Sequence, residues 1–287
     1  MLKEKIALLG FGDIANRLAS HLSEHHVVGV KRSRIAHPSV TIDTADCRDP
    51  IQMKRVLSVG FDVLVITFTP TEMSDAGYEQ GYVIPTKTIL AALDEQVVKP
   101  RLIIFVSSTS VYAQQDGSWI DEQSPAEPES YSGRRLREAE ELIANSGYVY
   151  CHIRFSGIYG RSRGHVVEQV IAGKGTAAEP AVYTNRIHAD DCAGVLAHLI
   201  QQQKVQGIQA IYIASDHQPT PLHEVKEWMR HTLDLPEDHF KQNTPLAART
   251  LRSNKRCSNK QLLDSGYVFI YPSFREGYAP LLGMDNG

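Results

Sequence analysis

The sequence predicts an α/β fold, in which a doubly wound parallel sheet carries helices on both faces. Between residues 6 and 154, short apolar runs rich in β-branched residues alternate with amphipathic stretches. This alternation is typical of parallel strands joined by crossover helices. The predicted strands are almost continuously apolar, as strands covered on both faces should be. With 287 residues, of which 42% are apolar, the chain can bury a large core without disulfides.

Each element is predicted from its own pattern. Ile14, Leu18 and Leu22 recur at the spacing of one helix face. Asp190 or Asp191 can cap the helix that begins near residue 189. The predicted strands are residues 6–9, 27–30, 40–42, 63–67, 102–106, 149–154 and 208–214. The predicted helices are residues 14–22, 51–57, 74–93, 136–145, 189–201, 221–233, 260–264 and 273–282.

The rhythm of strands and helices changes after Gly160, where the chain becomes rich in glycine, polar and basic residues. We therefore predict a main domain over residues 1–160, to which residues 182–214 add core strands. Residues 161–287 form a smaller portion that is interleaved with the main domain. No internal repeat is visible.

Composition and charge exclude several classes of protein. The net charge is −3, so the basic surface expected of a protein that binds nucleic acid or an anionic membrane is missing. The longest apolar runs have the length of strands, far short of the ~20 residues that span a membrane. The first apolar run is short and lacks a cleavage site, which is unlike a signal peptide. Four scattered cysteines without a CxxC pair predict no metal site and a reducing, cytoplasmic location.

The motif at residues 10–15, Gly-Phe-Gly-Asp-Ile-Ala, fits G-x-G-x-x-A between a strand and a helix. Gly10 permits the tight turn, and Gly12 lets a pyrophosphate approach the backbone. The phosphates would meet the N–H groups at the start of the helix, around Asp13 and Ile14. This motif in this context predicts a Rossmann fold that binds a dinucleotide.

The residues after the second strand predict NADP as the cofactor, with NAD as the second choice. An NAD-binding protein usually has Asp or Glu here, whereas this chain has Arg32 and Ser33. Arginine can hold a 2′-phosphate through two N–H groups; a solvated strand end is the alternative. Asp46, with Cys47 beside it, could accept a bond from the adenine amino group or simply form a turn. Further predicted contacts lie where the fourth strand ends, at Thr67, Phe68 and Thr69.

Three further segments would meet at the same edge of the sheet, at residues 106–112, 131–135 and 154–160. Together with Trp-Ile-Asp-Glu at 119–122, Asn-Arg-Ile-His-Ala-Asp-Asp at 185–191 and Lys-Arg-Cys-Ser-Asn at 255–259, they make the sequence similar to the extended short-chain dehydrogenase/reductases. The resemblance is to their NAD-dependent epimerase/dehydratase branch and spans nearly the whole chain.

The resemblance implies an NAD(P)-binding Rossmann domain, a small C-terminal portion that binds the substrate, and a catalytic pair at Ser108 and Tyr131. The cofactor would also touch Phe155, Ser156 and Ile158 after the sixth strand. The residues expected near the substrate are Thr109, Asn185, Arg186 and Arg256. A solvated basic loop is the alternative for Arg256.

Arg135 departs from the family pattern Tyr-x-x-x-Lys, because it stands at the lysine position. One helical turn separates it from Tyr131, so both face the same way. A cation there would favour the phenolate form of the tyrosine. At neutral pH, only about one in a thousand free tyrosine side chains is ionised. Guanidinium is planar and more diffuse than ammonium, so the replacement is not conservative.

The sequence therefore predicts an oxidoreductase or epimerase acting on a sugar, a sugar nucleotide or another hydroxyl or carbonyl compound. Ser108, Tyr131 and Arg135 would assist the hydride transfer. Dehydration is disfavoured, because Thr109 and Ser110 stand where dehydratases of the family carry an acidic pair. A non-catalytic NADP-binding regulator is the alternative. A SAM-dependent methyltransferase is disfavoured, because the second strand ends in Lys31 and Arg32 rather than an acid. A homodimer is compatible with the resemblance.

Overall fold

The computed structural model describes residues 3–161, 164–243, 245–246 and 248–284. The chain divides into two units, each built from separated stretches. Unit 1 comprises Met1–Val111, Ala126–Arg154 and Ala193–Tyr212, and unit 2 comprises Tyr112–Pro125, Phe155–Cys192 and Ile213–Gly287.

The strands are β1 (Lys5–Leu9), β2 (His26–Lys31), β3 (Thr41–Thr44), β4 (Val63–Ile66), β5 (Leu102–Ser108), β6 (Trp119–Ile120), β7 (Tyr150–Phe155), β8 (Gly157–Tyr159), β9 (Lys174–Gly175), β10 (Tyr183–Thr184), β11 (Arg186–His188), β12 (Ile211–Ala214), β13 (Thr220–Pro221), β14 (Gln242–Asn243) and β15 (Arg256–Cys257).

The helices are α1 (Asp13–His21), α2 (Pro50–Leu57), α3 (Asp75–Tyr78), α4 (Ile84–Asp94), α5 (Tyr131–Ala144), α6 (Gly164–Ile171), α7 (Ala189–Val205), α8 (Leu222–Thr232), α9 (Ala248–Arg252), α10 (Lys260–Asp264) and α11 (Phe274–Tyr278). A π-helical turn, Glu79–Val83, joins α3 to α4.

A seven-stranded parallel sheet confirms the predicted fold class, a Rossmann-like α/β fold. Its strand order is β12-β7-β5-β4-β1-β2-β3. β4 is buried throughout and β1 is buried except at Lys5. β1 pairs in parallel with β2 and β4, and β4 pairs with β5. The order reverses beside β1, so the carboxyl ends of β1 and β4 flank the crevice where such sheets bind ligands.

Unit 2 is held together by two-stranded ladders and its own apolar core. β8 pairs with β11 and β6 with β15, both in parallel. Val167, Val225, Met229 and Phe274 form the centre of the core, contributed by α6, α8 and α11. The ladders are short, and most of them join segments far apart in the chain.

The predicted helix over residues 74–93 is present but not regular, because the π turn interrupts it. Its glycine Gly81 lies directly on the preceding loop: a Cβ there would be 2.5 Å from the Thr69 carbonyl oxygen. α5 begins five residues before the predicted start, since Ser130 caps it by accepting a bond from the Gly133 N–H.

Candidate functional site

The glycine turn after β1 is shaped by its contacts with β2 and β4. Gly10 has φ +87°, and a Cβ there would lie 2.9 Å from Phe68 and 3.0 Å from the Thr67 carbonyl oxygen. The Gly10 and Phe11 N–H groups both donate to the Val30 carbonyl. The Thr67 hydroxyl donates to the Gly10 carbonyl at 2.9 Å. Only glycine fits the first position, and Thr67 locks the turn in place.

Gly12 is different, because nothing in the turn itself forbids a side chain. A Cβ on Gly12 would have only an ordinary contact, 3.7 Å from the Gly10 carbonyl oxygen. Gly12 is exposed and precedes α1, whose N-terminus has no side-chain cap. Such a helix end offers N–H groups and a partial positive charge to an anion. The residues therefore fit the diphosphate of a dinucleotide, whose approach a Cβ would obstruct.

The turn is braced from the side by an aromatic contact. Phe11 is buried, and Gly29 makes room for it: a Cβ on Gly29 would lie 2.5 Å from the Phe11 ring. His37 packs edge-on against Phe11 and its Nε2 lies 2.8 Å from the Asn16 Oδ1 on α1. The loop after β2 is thereby tied to the helix that follows the glycine turn.

At the predicted adenine end, Arg32 and Ser33 are exposed, and the Arg32 charge acts on both Asp46 and Cys47. Arg48 donates to the Asp46 carboxylate through Nη2 at 2.6 Å, and these hydrogen bonds hold the pKa of Asp46 below its usual value. Burial raises the pKa of the Cys47 thiol to about 12. Cys47 is thus a packing residue here, and Asp46 already has a cationic partner.

Ser108 ends β5 at the same edge of the sheet and is half-buried. Its Oγ accepts a bond from the Ser110 N–H at 3.2 Å. Gly133, in the first turn of α5, rests on this segment, since a Cβ there would lie 2.6 Å from the Ser110 carbonyl oxygen. The start of α5, which carries Tyr131, is therefore in contact with the segment that follows Ser108. Thr109 follows in a 3₁₀ turn and is half-buried.

Tyr131 is the first residue of α5, and its hydroxyl is engaged by the segment before α3. It donates to the Met73 carbonyl at 2.9 Å. Its ring packs edge-on against Tyr78 with centroids 5.7 Å apart. In the described structure, no hydrogen bond joins the Tyr131 hydroxyl to Ser108 or to Arg135.

Arg135 faces carboxylates instead of the tyrosine. It makes a two-pronged bond to Asp75, with Nε–Oδ1 3.0 Å and Nη2–Oδ2 2.8 Å. It also pairs with Glu138 at 2.9 Å and with Glu79 at 3.5 Å. Hydrogen bonds to Asp75 and Glu138 raise the pKa of Arg135 and keep it charged.

A buried ionic cluster lies under α5 and was not predicted from the sequence. Glu140 accepts bonds from the Ser107 hydroxyl at 2.6 Å and from Arg154 at 2.7 Å and 3.0 Å. Burial alone would raise the pKa of Glu140, but the hydrogen bonds and charge of Arg154 lower it to about 2. Ser107 precedes Ser108, so the cluster fixes the end of β5 against the helix that carries Tyr131.

In unit 2, the predicted cofactor contacts Phe155 and Ser156 are buried, whereas Ile158 is 37% exposed. Asn185 uses both ends of its amide within unit 2, donating to the Lys255 carbonyl and accepting from the Cys257 N–H. Its observed contacts therefore hold β15 in place. Its assignment to the substrate stays a prediction.

The two predicted substrate arginines differ in exposure. Arg186 is buried over the Phe274 ring and bonds to Thr184, while its Nη1 has no partner in the described structure. Arg256 is half-buried between the Trp119 and Tyr183 rings, with its guanidinium carbon 5.3 Å and 4.9 Å from their centroids. Both stay candidates for an anionic group.

Sequence reasoning missed Met73, Asp75 and Glu140. A signal for Glu140 was available, because it falls on the apolar stripe of α5 with Leu136 and Ile143. Within the described ranges, no group of three or more His, Cys, Asp or Glu side chains could hold a metal ion. The described helices include none that is both long and apolar enough to cross a membrane.

Comparison with known proteins supports the fold. Residues 10–203 match the model of the NAD(P)H-binding family. A structure from Methylobacillus flagellatus, provisionally described as an NAD-dependent epimerase/dehydratase, is 32% identical, covers 98% of both chains and has a TM-score of 0.80. A Silicibacter pomeroyi protein of unknown function is 23% identical over 98% of this chain and 99% of its own, with a TM-score of 0.72.

The same fold occurs in a UDP-glucuronic acid 4-epimerase from Bacillus cereus, solved with UDP-glucuronic acid and NAD. It is 15% identical over 97% of this chain and 98% of its own, with a TM-score of 0.78. No curated protein sequence matches the chain. The glycine turn, the sheet order and these matches lead to one conclusion: the chain belongs to the NAD(P)H-binding family, as an extended short-chain dehydrogenase/reductase of the NAD-dependent epimerase/dehydratase type.

Proposed function

We propose that the protein is an NADP(H)-dependent oxidoreductase or epimerase acting on a hydroxyl or carbonyl group of a small molecule. The substrate classes are sugars, sugar nucleotides and other carbonyl compounds. The observation that carries the proposal is the start of α1, where Gly12 is exposed and no side chain caps the helix. A dinucleotide diphosphate is the anion that this turn suits best.

When bound, the nicotinamide would supply or accept the hydride. Ser108 is suited to hold the reacting oxygen, because the only hydrogen bond of its hydroxyl among the described residues uses Oγ as an acceptor. Tyr131 would give a proton to that oxygen or take one from it, after exchanging its bond to the Met73 carbonyl. Glu140 keeps the end of β5 in place through Ser107.

We favour NADP over NAD because the predicted cofactor end carries an exposed cation, and the carboxylate of Asp46 there is already paired. Arg32 is exposed, whereas the Asp46 carboxylate is already bonded to Arg48. A phosphate would be attracted to Arg32. The four cysteines are buried and form no disulfide in the described structure, which supports the cytoplasmic location that we propose. A homodimer remains part of the proposal through the family resemblance.

A second candidate is an NADP(H)-binding protein without turnover, and the contacts of Arg135 favour it. The guanidinium that should promote the phenolate form of Tyr131 is bonded to Asp75 and Glu138. An enzyme with this arrangement would need Arg135 to change partners, whereas a binding protein would not.

Hydride exchange tests the proposal. NADPH carrying deuterium at the transferable position of the nicotinamide is incubated with a panel of carbonyl compounds, and products are analysed by mass spectrometry. The Tyr131→Phe variant should lose transfer, whereas Tyr148→Phe, which removes a hydroxyl bonded to Asp94, should keep it. Tight NADPH binding without transfer to any compound would favour the second candidate, and equal transfer by both variants would remove Tyr131 from the mechanism.

A further inference from the structure

Arg256 of β15 is held in a fixed position within unit 2 by residues of β6, of the turn before it and of β10. It lies opposite Trp119 in the parallel pairing of β15 with β6. Its guanidinium carbon is 5.3 Å from the centroid of the Trp119 ring and 4.9 Å from the centroid of the Tyr183 ring. Its Nε donates to the Gly117 carbonyl at 2.7 Å. Two aromatic rings and one hydrogen bond therefore fix the guanidinium in place.

Two asparagines hold the backbone on which this arrangement depends. The Asn185 amide bonds to the backbone of both chain neighbours of Arg256, at 2.8 Å in each case. Asn254 accepts a bond from the Gly117 N–H through its backbone carbonyl and one from the Tyr183 N–H through Oδ1, both at 2.9 Å. The hydrogen bonds of both asparagines thus converge on the surroundings of one side chain. Arg256 is therefore preorganised, and binding a ligand there costs little further side-chain entropy.

Despite these contacts, the guanidinium of Arg256 has no counter-charge among the residues that the structure describes. Its one hydrogen bond there uses Nε, so both Nη groups are without a partner, and neither is shut off from solvent. Asp116 and Asp121, the acids on either side of β6, accept bonds from backbone N–H groups of their own turns, at 3.1 Å and 3.0 Å. The edge of the guanidinium that carries the Nη groups is therefore available to a ligand.

The chemistry of this place indicates which kind of group fits it. With two rings against it, the guanidinium of Arg256 is best approached in its own plane, where its N–H groups match the paired oxygens of a carboxylate or a phosphate. The Trp119 side chain is 57% exposed, so apolar ring surface lies beside the charged group. Binding sites for small molecules combine aromatic surface with a few fixed polar groups in this way.

We propose that Arg256 binds an oxyanion of the substrate, a phosphate or a carboxylate, while Trp119 supports the carbon skeleton beside it. The inference rests on the proposed function and narrows its substrates to hydroxyl or carbonyl compounds that carry an anionic group. Arg256 is then a specificity-determining residue. Neutral compounds leave the guanidinium without a partner and therefore bind more weakly.

Calorimetric titration of the full chain without NADPH tests the inference, because it requires no turnover. The probes are glucose 6-phosphate, glucuronate and glucose, which share a pyranose ring and differ in charge. The first two distinguish a phosphate from a carboxylate, and the third is the uncharged reference. We expect saturable binding of at least one anionic probe and no binding of glucose.

Arg256→Gln should weaken binding of the anionic probe by about tenfold or more, the loss expected for a charged hydrogen-bond pair. Arg256→Lys keeps the charge but not the two-pronged geometry, so it should still bind several-fold more weakly than the parent protein. Arg275→Gln is the matched control. Arg275 also lies over a ring, that of Phe274 at 4.5 Å, but it is exposed and bonded to Gln218, so its loss should leave the affinity unchanged.

Circular dichroism of each variant separates a loss of binding from a loss of the fold, and Arg256→Lys decides the question if Arg256→Gln does not fold. The inference is overturned if neither anionic probe binds saturably or if glucose binds as tightly as they do. It is also overturned if Arg256→Gln and Arg275→Gln weaken binding equally, or if Arg256→Lys binds as tightly as the parent protein.

The outcome of the hydride-exchange experiment is separate. If no compound accepts hydride but an anionic probe binds through Arg256, the proposed function fails and Arg256 remains an anion-binding residue. If neutral carbonyl compounds accept hydride at rates that Arg256→Gln leaves unchanged, the inference about Arg256 is overturned while the proposed function stands.

Discussion

Glu140 and Arg154 form an ion pair inside unit 1, with Oε2–Nη2 2.7 Å and Oε1–Nε 3.0 Å, and neither residue is more than 1% exposed. The pair joins α5 to β7, and Ser107 adds β5 through its 2.6 Å bond to Glu140. A charge removed from water in this way is stable only with its partner present.

Glu140→Gln should therefore lower the free energy of unfolding by about 3–5 kcal/mol, because it leaves Arg154 buried without a counter-charge. Glu141→Gln is the control, since Glu141 is 59% exposed in its pair with Arg137; it should change stability by at most about 0.5 kcal/mol. Urea unfolding at neutral pH measures both. Similar losses in the two variants would contradict the role given to the buried pair.

The same ion pair should make the free energy of unfolding depend on pH in the acid range. The lowered pKa of Glu140, about 2, lies below its ordinary value of 4.5. The stabilisation is therefore present above that ordinary value and is lost as the pH falls toward about 2. The difference between the parent protein and Glu140→Gln should shrink over this range.

Gly10→Ala and Gly12→Ala should separate folding from cofactor binding. Gly10 has φ +87° and no room for a Cβ, so its alanine variant should lose about 1–3 kcal/mol of stability. Gly12→Ala should leave the melting temperature nearly unchanged but weaken NADPH binding at least about tenfold, because the methyl group obstructs the phosphate. Calorimetry and fluorescence titration measure the two effects. Unchanged NADPH affinity in Gly12→Ala would exclude the turn as the phosphate site.

Arg32→Gln should weaken binding of NADPH but leave NADH binding almost unchanged. A charged hydrogen bond to the 2′-phosphate contributes about 1.5–3 kcal/mol, which corresponds to roughly 10- to 150-fold in affinity. Arg34→Gln is the control, because Arg34 is also exposed but lies beside Ile35 and His37 in a neighbouring surface cavity. The assignment of Arg32 to the 2′-phosphate would be refuted if the parent protein bound NADH at least as tightly as NADPH.

Asp216 should make unit 2 less stable as the pH rises. Burial raises its pKa to about 7, against the opposing charge of Arg186, and its Oδ2 has no partner among the described residues. Because the pKa of Asp216 is raised in the folded state, its contribution to the stability of the fold is fully present below the ordinary value of 3.8. This contribution is lost as the pH rises through about 7.

Asp216→Asn should remove this loss, which amounts to at most about 4 kcal/mol. Asp264→Asn, which replaces a carboxylate that is 60% exposed in the same unit, should leave the pH dependence as it is. Unfolding free energies measured across that pH range give the answer. The same slope in the parent protein and in Asp216→Asn would show that another group is responsible.

The regular parts of the fold could be predicted because their signals are local. The spacing of Ile14, Leu18 and Leu22 predicted α1 to within one residue at each end, and α10 was predicted with its observed bounds. Two-residue strands such as β6 and β15 could not be predicted. Their stability comes from pairing with each other across a long stretch of chain, not from any pattern of their own.

The residues of the candidate site could be predicted from the sequence, but their hydrogen-bond and ion-pair partners could not. The glycine motif and the Tyr131–Arg135 spacing are local patterns and were read from neighbouring residues. The partners of those groups are not local: Asp75 lies 60 positions from Arg135, and Met73 lies 58 positions from Tyr131. A sequence shows that Arg135 is a cation, but only the fold shows which carboxylate it binds.

The division of both units into separated stretches has a consequence for biosynthesis. Unit 1 needs residues Ala193–Tyr212, which are translated after the first stretches of unit 2, and unit 2 needs residues beyond Ile213. Neither unit is complete when the ribosome has released only the glycine turn and the first five sheet strands. The nascent chain must therefore keep its apolar strands from aggregating until most of the polypeptide has emerged.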